Sequence, residues 1–118
     1  FVSRSNDPGG FVSYDLDTKR VVPLGRVASW LDDDLLAEVE RIEIPTSRGR
    51  SLEAFLTLPP SSTSKPPLVV MPHGGPIGVA DLRSYSSEVQ YLARSGFAVL
   101  QVNYRGSGGQ GREFKQAG

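Results

Sequence analysis

Leu68-Val69-Val70-Met71-Pro72-His73-Gly74-Gly75-Pro76 is the stretch on which the reading of the fold turns. Four apolar residues in a row, with no polar alternation, fit a strand buried on both faces. Proline ends the run, and two adjacent glycines let the backbone turn sharply with its N–H groups uncovered. Downstream, Ser84 to Ser95 places Tyr85, Val89, Leu92 and Ala93 on one helical face. Gly96 stands where a glycine closes a helix. Phe97-Ala98-Val99-Leu100-Gln101-Val102 reads as a second strand. Strand, loop, helix, glycine, strand is a βαβ unit, whose crossover is expected to be right-handed.

Upstream of this unit, Pro59-Pro60-Ser61-Ser62-Thr63-Ser64-Lys65-Pro66-Pro67 forms a polar connector. Its prolines remove ladder donors, so no element continues through it. Val39 to Pro45 and Leu52 to Leu58 read as two strands around a Thr46–Arg50 hairpin loop. In them Arg41, Glu43 and Glu53 alternate with Ile42, Ile44, Leu52, Ala54 and Leu56, which predicts one wet face and one apolar face. Asp32-Asp33-Asp34 suits either the first turn of a short helix through Leu35, Leu36 and Val39, or an acidic solvated linker. Phe11 to Tyr14 and Arg20 to Leu24 pair as a hairpin around the turn-rich Asp15–Lys19. A lone hairpin is marginal in water, so more sheet is expected beside it.

Composition narrows the chemistry. The 118 residues are 38% hydrophobic and 22% charged, as in a globular chain. Thirteen basic and thirteen acidic residues cancel, so no strong field draws nucleic acid or an anionic membrane. The charge is uneven, with seven basic and ten acidic residues up to position 60, and six and three after it. There is no Cys, which excludes disulfides, thiolate metal sites and a Cys nucleophile. His73 is the single His, which excludes a multi-histidine metal site within the chain. No stretch reaches the about 20 apolar residues of a membrane span. The chain starts at Phe1 and stops after Gly-Arg-Glu-Phe-Lys-Gln-Ala-Gly, so a fragment is expected. Oligomeric state and compartment are left open, the cytoplasm being favoured for the latter.

Two glycine loops could carry chemistry. A loop such as His73-Gly74-Gly75, at the carboxyl end of a parallel strand, lies where α/β proteins bind ligands. In α/β-hydrolases an HGGG-type loop here supplies one oxyanion-hole N–H. The plainer reading is a tight turn around a hydrogen-bonded His. The second loop, Asn103-Tyr104-Arg105-Gly106-Ser107-Gly108-Gly109-Gln110-Gly111, fits G-x-G-x-x-G through Gly106, Gly108 and Gly111. A nucleotide-binding module is therefore an alternative. Three residues separate the apolar run from Gly106, and a βα pair already precedes this strand, both of which weigh against it. The acidic residue expected about 20 positions on would lie past Gly118. Ser107 misses the G-x-S-x-G nucleophile elbow, because Arg105 stands where its first Gly belongs. The chain order Ser, acid, His is impossible here: the one His precedes these serines and no Asp follows Asp81.

Pro67 to Pro76 and Gly96 to Ser107 together resemble the prolyl oligopeptidase family of serine peptidases. The likeness is to its acylaminoacyl-peptidase and dipeptidyl-aminopeptidase-like branch; other branches generally carry Tyr in place of His73. The resemblance is good from Val39 to Gly118 and weaker over Phe1 to Trp30. It implies an α/β fold: the N-terminal part of an α/β-hydrolase sheet, preceded by the last strands of a β-propeller, and incomplete. Residues 1–24 would end a propeller blade, 25–38 would connect, and 39–118 would begin the peptidase domain. Gly75 would give its N–H to the oxyanion hole, with Gly74 supporting and His73 and Pro76 shaping the loop. Arg105 is a candidate for the substrate edge. The triad and the second oxyanion donor would lie beyond Gly118. The implied partner is a peptide substrate, with no cofactor, metal, nucleic acid or membrane. A carboxylesterase of the same fold is the other hydrolase reading.

Overall fold

The computed structural model describes residues 1–47, 49–60, 65–75 and 77–118. Two sheets account for the strands. The first is antiparallel, in the order β1 (Val2–Arg4), β2 (Asp7–Tyr14), β3 (Val21–Arg26). Asp15 nucleates the β2–β3 turn: its Oδ1 accepts from the Asp17 and Thr18 N–H at 3.0 and 2.7 Å. β1 supplies the additional sheet that a lone hairpin needs.

The aspartate run does not make a helix. Asp33–Leu35 is a single 3₁₀ turn, capped by Asp32, whose side chain accepts from the Asp34 N–H at 3.1 Å. Val39 instead opens a strand, because seven residues of ladder pairing to Ser51–Thr57 outweigh one more helical turn.

The second sheet runs β4 (Val39–Pro45), β5 (Ser51–Thr57), β7 (Ala98–Asn103), β6 (Leu68–Met71). β4–β5 and β5–β7 are antiparallel, and β6–β7 is parallel. Helix α1 (Ser87–Arg94) links the parallel pair, so the βαβ unit stands as the sequence predicts. Ser86 caps the helix by accepting from the Val89 N–H, and Gly96 closes it at φ 92°. The short helix α2 (Arg112–Gln116) follows β7 and buries Phe114.

Register shows that both faces are partly covered: Arg41 and Glu43 are exposed and Ala54 is buried, as the alternation predicts, but the face of Arg41 and Glu43 is covered toward its other end. Val39, Arg41 and Glu43 share a face with Phe55, Glu53, Thr57 and Val99. Val39, Phe55, Thr57 and Val99 are buried there, and α1 contacts β5 and β7 with Val89 and Ala93 buried. The charged residues of this face sit toward its other end, where Arg41 pairs with Glu53 at 2.6 Å. Ile42, Ile44, Leu52 and Leu56 lie on the opposite, half-buried face with Leu100 and Val102. β6 is not buried on both faces. Within these 118 residues it has one strand neighbour, β7, and Leu68 and Val70 are each 55% exposed.

One buried side chain ties the parts together. Gln90 of α1 is 2% exposed. Its Oε1 accepts from the Ala37 N–H at 2.8 Å, and its Nε2 donates to the Ala37 and Ser5 carbonyls at 2.8 and 3.4 Å. The segment before β4 and the β1–β2 turn are thereby held to the helix. Arg83 Nε adds a bond to the Val39 carbonyl at 2.8 Å.

Candidate functional site

The chain leaves β6 at Met71 and turns through His73-Gly74-Gly75. The His73 ring stacks on Tyr104, with centroids 4.5 Å apart and planes at 16°. Tyr104 Oη donates to the His73 carbonyl at 2.7 Å. Thus the residue just after β7 holds the loop that follows β6, which is possible because the two strands are parallel neighbours with their carboxyl ends together.

Gly75 has φ +97°, where a side chain is strained. A Cβ there would lie 2.9 Å from Val79 Cγ2. Gly74 faces open space, with nothing within 4 Å of its Cβ position. Both glycines are exposed, and among the described residues neither N–H has a hydrogen-bond acceptor. An exposed, unpaired N–H on a glycine is a free donor. Pro76 lies outside the described residues.

The glycines of the second loop serve a different end. The Gly78 N–H donates to the Gly106 carbonyl at 2.8 Å, and the Gly108 N–H to the Val79 carbonyl at 2.9 Å. A Cβ on Gly108 would sit 2.5 Å from the Gly78 carbonyl oxygen. The loop therefore stays bare so that another backbone can approach it. That backbone occupies the place a phosphate would need, and the helix that follows has only five residues. The nucleotide reading loses its site.

Asn103, fully buried at the end of β7, extends the same lock. Its Oδ1 accepts from the Asp81 N–H at 2.8 Å; its Nδ2 donates to the Asp81 carbonyl at 3.1 Å and to Glu53 Oε2 at 3.0 Å. The Glu53 carboxyl is held below its ordinary value, first by its hydrogen bond from Arg41 and also by the one from Asn103, against the opposing effect of burial.

The sequence-level candidates separate in space. His73, Gly74 and Gly75 come together with Tyr104 and Ser107. Arg105 does not join them. It lines a cavity of about 550 Å³ with Tyr104, Arg50, Leu52, Glu113 and Phe114, at whose rim Arg50 and Glu113 form an ion pair. Ser107 Oγ stands 2.7 Å from His73 Nε2, a pairing across 34 residues that looks like a nucleophile and its base. Ser107 is 0% exposed, however, and no carboxylate among the described residues hydrogen-bonds His73. A serine that no substrate can reach does not attack one. This contact, the Asn103 lock and the Gln90 clasp escape sequence reasoning, because each joins residues that no spacing rule connects.

Comparison with known proteins agrees with the geometry. A model of the prolyl oligopeptidase family matches residues 83–118. Dipeptidyl aminopeptidase BIII of Pseudoxanthomonas mexicana is 33% identical over 124 aligned positions, covering 98% of this chain and 18% of that protein. The acylamino-acid-releasing enzyme of Sus scrofa is 45% identical over 67 positions, covering 55% of this chain and 9% of that one. Among solved structures, a puromycin-hydrolyzing peptidase of Mycobacterium tuberculosis superposes with TM-score 0.80 at 30% identity, over 97% of this chain and 18% of its own. The chain thus spans about a fifth of the length of such relatives. Over nearly its whole length the chain is thus similar in sequence and in fold to these peptidases, and its residues 83–118 match the prolyl oligopeptidase family.

Proposed function

We propose that this chain is the junction of a serine peptidase that hydrolyses peptide bonds in short peptides by acyl transfer. On this reading residues 1–24 end a propeller blade and 25–38 form the connection. Residues 39–118 are the N-terminal part of an α/β-hydrolase sheet. The Gly75 N–H is one donor of the oxyanion hole, with Gly74 leaving it uncovered and His73 and Pro76 shaping the loop. The observation that carries the reading is the free Gly75 N–H, presented at positive φ at the carboxyl end of a parallel strand. A donor fixed in place before reaction stabilises the tetrahedral oxyanion without reorganisation cost.

The nucleophile, acid and base come from outside these 118 residues on this reading, since the one His is committed to buried Ser107. The chain alone is expected to show no turnover. The relatives' names speak of dipeptidyl and acylamino-acid release and of puromycin hydrolysis. An aminoacyl p-nitroanilide and a short peptide are accordingly the fitting probes. A full-length enzyme containing this chain should cleave both. Hydrolysis of a p-nitrophenyl ester with no amide cleavage would make the parent a carboxylesterase instead. Arg105 is assigned to the substrate edge through the cavity it lines, and a charge-removing Arg105→Gln substitution should raise KM rather than lower kcat.

A further inference from the structure

We propose that Ser107 is a positioning residue for the oxyanion donor, acting through the tautomer of His73. The inference rests on the oxyanion reading of Gly75. Hydrogen-bond bookkeeping sets the tautomer. Ser107 Oγ is buried, and its one partner among the described residues is His73 Nε2, at 2.7 Å. If Nε2 carried the proton, the serine's own O–H would be buried without an acceptor, which is costly. The hydroxyl therefore donates to Nε2, and the imidazole proton sits on Nδ1. Nδ1 faces the Gly74 carbonyl oxygen at 3.3 Å, with Tyr104 Oη at 3.5 Å. Tyr104 Oη uses its proton on the His73 carbonyl, so it too presents a lone pair to Nδ1–H.

The Gly74 carbonyl and the Gly75 N–H belong to one peptide unit. That unit is planar and trans, so holding its oxygen aims its N–H the opposite way. A line of bonds runs from Ser107 O–H to Nε2, through the ring to Nδ1–H, and on to the oxygen of the peptide that bears the oxyanion donor. Removing the serine hydroxyl frees Nε2 to take the proton. Nδ1 then turns a lone pair toward the Gly74 oxygen, and the peptide loses its hold. Such a residue touches neither substrate nor reacting atom, but it sets the direction of one that does.

The test uses a full-length enzyme containing this chain. Ser107→Ala should lower kcat about tenfold to a hundredfold, as small misplacements of catalytic groups do. KM should move less than threefold. Affinity for a peptidyl aldehyde, whose adduct places an oxyanion in the hole, should fall in step with kcat. Nitrogen-15 shifts of His73 should show the neutral Nδ1–H form in the wild type and the Nε2–H form in the variant. The wild-type spectrum keeps the idea testable even if Ser107→Ala does not fold, since an Nε2–H tautomer there would overturn it. A folded Ser107→Ala enzyme with kcat within threefold of wild type would overturn it equally, whatever its melting temperature. Gly75→Pro separates the two layers. If it abolishes turnover while Ser107→Ala does not, only the Ser107 assignment fails; if it leaves kcat unchanged, the oxyanion reading falls and takes this inference with it.

Discussion

Gly75 offers the sharpest perturbation. Its φ of +97° is open to glycine and closed to proline, whose ring holds φ near −65°. Gly75→Pro therefore removes the N–H and also rebuilds the turn. Loss of one oxyanion donor costs about 3–4 kcal/mol of transition-state stabilisation, or about 10²–10³ in kcat. Gly75→Ala is a milder probe that keeps the N–H. Its methyl group meets two separate obstacles: about 1–2 kcal/mol of left-handed backbone strain, and a contact of 2.9 Å with Val79 Cγ2. The loop must shift to relieve the contact, and a displaced donor should cost about tenfold to a hundredfold in kcat. Val79→Ala added to Gly75→Ala removes the contact but not the strain, so it should recover part of the lost rate. The assay is initial-rate hydrolysis of an aminoacyl p-nitroanilide by full-length enzyme, normalised by titration of the reactive nucleophile. KM should change little, because the donor acts on charge that exists only in the transition state. A correctly folded Gly75→Pro enzyme with kcat within threefold of wild type would refute the reasoning.

Three further outcomes follow from the packing. Gly108→Ala places a Cβ 2.5 Å from the Gly78 carbonyl oxygen, a backbone atom that cannot swing away. About 1–3 kcal/mol of overpacking should appear as a lower melting temperature, and dinucleotide titration should give no signal in either protein. Gln90→Leu keeps the volume of the clasp but orphans the Ala37 N–H and carbonyl, at a cost of about 1–3 kcal/mol. Hydrogen exchange at the Ala37 N–H should quicken roughly fivefold to a hundredfold, and an unchanged rate would mean that the clasp holds nothing. Glu53 titrates below its ordinary 4.5 because Arg41 and Asn103 bond its ionised form. A depressed folded value means that its stabilisation is complete above about pH 4.5 and is lost as pH falls through the folded value. The urea midpoint of the wild type should accordingly drop more steeply below about pH 4.5 than that of Glu53→Gln, and parallel curves would show that the Arg41–Glu53 pair contributes nothing.

Much of the architecture is legible in one dimension because it is local. The strand at Leu68–Met71, the Gly96 helix end and the turn at Asp15 each act within a few residues, and each appears where expected. His73-Gly74-Gly75 is visible as a candidate for the same reason: a glycine pair after a strand is a backbone statement. What stays hidden depends on partners distant in the chain. Alternation along β4 and β5 shows that two faces differ, but not which one α1 will cover. The helix chose the face of Val39, Phe55 and Thr57 because α1 and the Arg83 segment pack there, while Arg41 and Glu53 neutralise each other at its far end.

The same division runs through the site. Residue types in order sufficed for the βαβ unit, for the glycine loop and for the absence of any His after Ser107. Only the folded chain brought Ser107 to His73, laid Tyr104 over the imidazole ring and pressed Gly108 against Gly78. The reason is that parallel pairing of β6 and β7 sets the loops after both strands side by side. Hydrogen bonds and close approaches are then decided by that neighbourhood, across some thirty residues of intervening chain that carry no trace of it.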